Sequence, residues 1–475
     1  MKKLREESAA DPTTSTLRRR QFLGGMAGLG LAGWSGVSAQ STPSGSSGAG
    51  DVVIRNAYVI TMDPTLGDLP RGDVHVRDSR IEAVGAGLQV PGAQEIDGED
   101  MLVLPGLVET HWHVWTAVLR AMAGSKPGGG YFDLTGTFGK LFTPEDTYHS
   151  SRLGLAEAVF SGITYVHDWC HNVQSQEHAE ASLRALRELG IRGRFSVGPA
   201  SGQPSGSGIK LDVLQHLHTN LGTYSPEGRV SLGLAWPGLG DALDVRKQEI
   251  ETARALKVPI SVHAGRRARR EDGISKLKDY FGPDLQIIHG ITATQKELKA
   301  LAVAGTSLSI SPYSELRIGY GIPPVNAMLD SGIALGLSVD TTPLSGNADM
   351  FAVMKIFINL ANALAKDEFV VSARRILALA TLEGARSMGV SQQIGSLTPG
   401  KQADVIMVSK QALNLGVFTD PVAALVLAAQ PANVDTVMVA GKVLKRHGKL
   451  TVVDSGEVIR QAQSTLKGLL QRSDW

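Results

Sequence analysis

Leu104-Pro105-Gly106-Leu107-Val108-Glu109-Thr110-His111-Trp112-His113 carries an apolar, strand-like run into two imidazoles one residue apart. Side chains alternate along a strand, so His111 and His113 leave it on the same face. Two imidazoles aimed together begin a zinc, iron or manganese site, which draws its remaining ligands from elsewhere in the chain. Polar residues of the required kind recur at later strand ends.

Apolar runs expected as strands occupy 103–110, 163–166, 194–197, 230–235, 259–262, 285–288, 307–310 and 334–339. Helical stretches at 145–160, 177–189, 245–255, 293–302 and 325–329 separate many of them. Eight such units match a (β/α)8 barrel in number and spacing, with a doubly wound sheet as the rival. His263 closes the fifth run, His289 the sixth, and Asp340 follows the eighth. A barrel gathers strand tips at one mouth, where such folds place their chemistry. On that geometry His111, His113, His263, His289 and Asp340 converge. A divalent cation held there acidifies water near neutral pH, and Asp340 is placed to orient that water or take its proton.

The two ends of the chain read differently. Residues 51–102 and 395–450 are short alternating strands with Asn, Asp or Gly at the turns. Neither stretch would bury much apolar surface alone. Together they are expected to close one small β-sandwich, with the barrel (103–394) inserted between them and a helical tail at 451–475. Residues 1–39 contain Arg18-Arg19-Arg20-Gln21-Phe22-Leu23, a short Gly-rich apolar stretch and a small-residue end. That order is an export signal of twin-arginine type and predicts a periplasmic or secreted enzyme. Residues 40–50 form a Ser/Gly-rich linker. A net charge of +1 with 5% aromatic residues gives no nucleic-acid footprint. A single cysteine, Cys170, excludes an internal disulfide framework.

The Pro105-to-His113 segment, the later strand-end residues and the segment Gly395-Ser396-Leu397-Thr398-Pro399-Gly400-Lys401-Gln402-Ala403-Asp404 resemble the amidohydrolase superfamily. The nearest branch holds the cytosine, guanine and adenosylhomocysteine deaminases and the triazine chlorohydrolases. The resemblance implies a hydrolase of non-peptide carbon–nitrogen bonds acting on a small cyclic or amide-like compound. It implies His111, His113, His263 and Asp340 as ligands of one divalent metal, with zinc ahead of iron or manganese. His289 would hold the attacking water or the substrate, and the branch's habit is homo-oligomeric. The fourth strand, Val230-Ser231-Leu232-Gly233-Leu234-Ala235-Trp236, lacks the lysine or glutamate of two-metal members.

One departure bears on mechanism. The deaminase branch carries a proton-shuttling glutamate three residues after the fifth-strand histidine. Here Arg266 occupies that place, inside Arg266-Arg267-Ala268-Arg269-Arg270, and an arginine stays protonated. Glu315 and then Asp340 are the expected substitutes. His167, Asp168, Trp169 and His171 follow the second strand and are expected in the substrate pocket, together with Trp236, Arg266, Tyr313 and Tyr320. The Gly-rich segments 124–137 and 319–324 are expected lids. Two other readings stay open on these residues: a metal-dependent binding protein without catalysis, and a metal-assisted decarboxylase.

Overall fold

The computed structural model describes residues 50–124, 126–204, 206–240, 242–266 and 273–475; the expected export signal and residues 40–49 lie outside them. The chain opens with β1 (Val52–Ile60), β2 (Asp68–Arg77), β3 (Arg80–Gly85), β4 (Gln94–Asp97) and β5 (Met101–Pro105). Eight strands follow: β6 (Leu107–Trp112), β7 (Ile163–Cys170), β8 (Arg192–Val197), β9 (Val230–Trp236), β10 (Ile260–Ala264), β11 (Leu285–His289), β12 (Ser307–Ile310) and β13 (Leu335–Leu337). The last four are β14 (Val405–Ser409), β15 (Val434–Val439), β16 (Lys442–Arg446) and β17 (Lys449–Leu450).

β6 to β13 pair in chain order, all parallel, with helices between them. The first and last strands meet through a bridge between Trp112 and Asp340. Asp340 N–H donates to His111 O at 3.0 Å and His113 N–H to Asp340 O at 2.7 Å. The (β/α)8 barrel is thus nearly closed, at the level of its metal-ligand candidates. The two ends of the chain form one mixed sheet in the order β17-β16-β15-β14-β5-β1-β2-β3, with β4 beside β1. Antiparallel pairing of β5 with β14 joins its two halves.

The run 103–110, expected as one strand, divides at Gly106. Met101–Pro105 belongs to the mixed sheet and Leu107–Trp112 starts the barrel. Gly106 N–H donates to Asp404 O, while Leu107 N–H turns to Gly162 O, each at 3.0 Å. A Cβ on Gly106 would stand 2.0 Å from Thr164 Oγ1, so only glycine fits this crossing. Periodicity alone conceals the change of sheet, because both pieces are apolar.

The outer faces of the barrel strands are apolar: Val166, Phe195, Leu234, Val262, Ile287 and Leu308 are buried beneath the helices. Each contributes roughly 1.5–3 kcal/mol by leaving water. The helix Pro144–Phe160 begins with Pro144 and a capping box in which Thr143 and Asp146 satisfy each other's main-chain N–H. It buries Leu155, Ala158 and Val159, and the C-terminal helix Ser455–Gln471 lies against it through Arg152–Gln461 (2.7 Å) and His149–Thr465 (3.1 Å). No described helix is long and apolar enough to cross a membrane.

The barrel interior is polar. Thr110 bonds Ser309 at 2.7 Å, Ser338 lies 3.1 Å from Ser309 and 2.6 Å from Ser311, and His167 Nε2 lies 2.8 Å from Ser196 Oγ. A hydrogen-bonded axis of this kind holds strand tips in fixed orientation, because each buried hydroxyl must keep its partner.

Candidate metal centre and cleft

His111 owes its direction to a β-bulge. Glu109 pairs with Val166 and Trp112 with Asp168, so β6 has one residue more than β7 over this step. The extra residue lets Thr110 and His111 both turn inward, which plain alternation forbids. Glu109 locks the distortion: its carboxylate accepts His111 N–H and Val339 N–H, each at 2.9 Å, tying the first strand to the last.

His113 follows β6 and lies with Nδ1 2.8 Å from Trp169 O. Donation to that carbonyl leaves Nε2 with its lone pair aimed at Asp340 Oδ1, 3.4 Å away. His171 Nδ1 stands behind the same ring, 2.7 Å from His113 Nδ1. From β10, His263 brings Nε2 to 3.2 Å from His111 Nε2. His289 ends β11, stacks on His263 with 5.2 Å between centroids, and donates Nδ1–H to Glu315 Oε1 at 3.1 Å. Asp340 Oδ1 lies 3.2 Å from His111 Nε2, and Oδ2 accepts the Ser314 hydroxyl. His289 and Asp340 both have positive φ, 78° and 64°. Side chains rarely adopt that backbone form, and here it bends each strand end toward the common centre.

Burial, reinforced by neighbouring imidazoles, holds His111, His113 and His263 well below the usual histidine range. They are therefore neutral donors. Ligand atoms of His111, His113 and Asp340 lie within 4.8 Å of one another, as do those of His111, His263 and His289. Neutral nitrogens facing one another, with one carboxylate oxygen among them, suit a borderline divalent cation such as zinc. The residues fit a metal.

Beside this cluster opens a cavity of about 470 Å³, walled by Phe132, Leu239, Leu277 and Tyr320, with His263 at its base and Arg266 and Lys276 on its rim. Tyr320 meets the His289 ring edge-on at 5.5 Å. Trp169 packs edge-on against His263 at 4.3 Å, beneath the imidazoles. Among the residues read from sequence, Arg266, Tyr320, Trp169 and His171 therefore border the centre.

Four expected pocket residues are elsewhere, because β7 and β9 run farther than their apolar stretches. His167 lies within the barrel, between Ser196 and Thr110 O, with its pKa pushed down to about 3 by burial and Arg194. Asp168 and Trp236 fall on the outward-facing positions of β7 and β9; Trp236 packs on Tyr280 beneath the helices. Tyr313 is on the helix Pro312–Arg317, half exposed and away from the cavity lining. Cys170 is buried and free, and burial pushes its thiol well up, unlike a ligand or nucleophile. Glu315 is fully buried behind His289, with burial raising its carboxyl; it contacts that ring and Ser311 N–H rather than the cleft. Glu109, Ser314 and Lys276 were not read as site residues from sequence, and Phe132 only as part of the expected lid 124–137. Of the first three, only Glu109 had a signal, its place two residues before His111.

The chain matches the family described as "Amidohydrolase family" over residues 102–444. It is 29% identical over 444 residues to a 5-methylthioadenosine/S-adenosylhomocysteine deaminase of Moorella thermoacetica, covering 87% of this chain and 98% of the relative. A 5'-deoxyadenosine deaminase of Methanosarcina acetivorans is 26% identical, with 89% and 99% covered. Among solved structures, an adenosine deaminase from Xanthomonas campestris with bound zinc aligns with TM-score 0.78 at 22% identity, covering 89% of this chain and 99% of that one. The atrazine chlorohydrolase of Arthrobacter aurescens complexed with zinc aligns with TM-score 0.75 at 21% identity, with 87% and 100% covered. At these identities the structural likenesses carry the fold.

Proposed function

Because the chain belongs to the amidohydrolase family, hydrolases of non-peptide carbon–nitrogen bonds, we propose that it deaminates a purine-nucleoside-like molecule with one zinc ion per chain. The observation that carries this reading is the convergence of His111, His113, His263 and Asp340 at one mouth of the barrel. When bound, the cation acidifies water and polarises the carbon under attack.

The protein's own groups divide the remaining work. Asp340, steadied by Ser314 on one oxygen, takes a proton on the other. His289, tethered through Nδ1 by Glu315, presents Nε2 to the cleft and steadies the attacking water or the developing oxyanion. Glu315 reaches the reacting atoms only through that ring, so it positions His289. Phe132 and Tyr320 offer flat surfaces to a heterocycle, over a floor that Trp169 supports from beneath His263.

Ammonia release from adenosine, 5'-deoxyadenosine, 5-methylthioadenosine and S-adenosylhomocysteine tests the reading. Zinc-loaded protein is expected to turn over at least one of them, and His111→Ala and Asp340→Ala to lose both zinc and turnover. No ammonia from any of them by zinc-loaded protein would refute it. Arg266 supports a second reading, in which the leaving group departs as an anion and needs no proton. Chloride release from a chlorotriazine, measured in parallel, decides between them.

The sequence of residues 18–39 supports delivery to the periplasm, and the family habit a homo-oligomer; cell fractionation and light scattering test these two proposals.

A further inference from the structure

We propose that the opposite, N-terminal face of the barrel binds a small oxyanion, of the phosphate or carboxylate kind. A second cavity, of about 530 Å³, opens there. It is bounded by the first residues of β10, β11 and β12 and by Ser387–Gly389 behind the helix Leu382–Ser387. His263 and His289 stand three and four residues farther along β10 and β11, roughly 10–13 Å at the rise of a strand. This cavity is separate from the cleft above.

Two guanidinium groups line it. Arg194, on β8, is 7% exposed; its Nη2 donates to Met388 O at 2.6 Å, while its Nε is buried with no hydrogen-bond partner. Arg386 projects from the helix Leu382–Ser387 and is exposed. Among the described residues neither has a carboxylate within ion-pair distance. Nearby cations are all paired: Arg192 with Asp404 at 2.7 Å, Arg375 with Glu383, and Arg254 with Asp284, the one carboxylate of the lining, at 2.8 Å. Burial of a charge without a counter-charge is unfavourable, so Arg194 implies an anion in the space it lines. Two cationic donors without a counter-charge describe a site for a small oxyanion.

Calorimetric titration and thermal unfolding of the zinc-loaded protein, at neutral pH and constant ionic strength, test this with inorganic phosphate, malate and sulfate. Phosphate or malate is expected to bind once per chain and raise the Tm, whichever succeeds naming the ligand class. Sulfate, an oxyanion of the same shape, is expected to compete with phosphate. Arg386→Gln, exposed and remote from the metal centre, is expected to keep wild-type turnover while weakening phosphate or malate about tenfold. Arg194→Met is expected to abolish binding. Absence of binding up to about 20 mM ligand would overturn the proposal. So would phosphate stabilisation that survives intact in both arginine variants, which would locate the ion at the metal centre.

Discussion

Replacing Glu109 by glutamine changes one atom and tests what holds the metal ligands in place. Both carboxylate oxygens accept main-chain N–H groups at 2.9 Å, one on His111 and one on Val339. Burial pushes this carboxyl well above the usual range, opposed by those two donors. Two donors at that distance call for two acceptors, and the ionised form is the stronger acceptor on both oxygens. In Glu109→Gln one oxygen remains, and the amide NH2 faces the second N–H. The loss is one charge-assisted hydrogen bond, about 1.5–3 kcal/mol, plus one orphaned buried N–H, about 1–3 kcal/mol. Destabilisation by roughly 2.5–6 kcal/mol follows. His111 and the chain leading to Asp340 lose their common tether, so zinc affinity is expected to fall by about ten- to hundredfold. Urea midpoints of metal-free protein at unchanged m measure the first effect, and chelator competition measures the second. A variant matching wild type in both would show the carboxyl to be neutral and the tether unimportant, and the reasoning would fail.

Asp168 is fully buried without a cationic partner, and burial, opposed by the main-chain N–H of Val114, pushes its pKa up to about 7. Its stabilising contribution is present below the unfolded pKa near 4 and is lost as pH rises through 7, by up to about 4 kcal/mol. Asp168→Asn should therefore flatten the fall in Tm between pH 4 and 8 and exceed wild type at pH 8; parallel curves would sink this. Glu315→Leu should lower kcat by about ten- to hundredfold with little change in KM, since it removes the acceptor of His289 Nδ1–H without touching the cleft; a change confined to KM would instead place Glu315 on the substrate. Gly106→Ala should destabilise by about 3 kcal/mol or more, because Thr164 cannot clear the added methyl; a fold as stable as wild type would contradict the crossing described here. Dialysis against a chelator should lower the Tm and abolish turnover, with zinc restoring both; turnover that survives complete metal removal would refute the assigned centre.

Local chemistry made the barrel legible. Apolar strands and amphipathic helices carry their period in consecutive residues, so the run from Ile163 to Val339 could be read as alternating elements, with His263, His289 and Asp340 at strand ends. Three-dimensional pairing decided matters that no periodicity encodes. Gly106 changes sheet because Thr164 and Asp404, far along the chain, close on it. His111 turns inward through a bulge set by the register of β6 on β7. The same strand β7 continues through His167 and Asp168, and so removes both from the pocket in which polarity alone would put them. Glu315 serves His289 because the helix after β12 lies behind β11, an adjacency between elements rather than a property of either. Short-range patterning specifies what each segment becomes; which side chains share a site depends on contacts between residues distant in sequence, and those exist only once the barrel has closed.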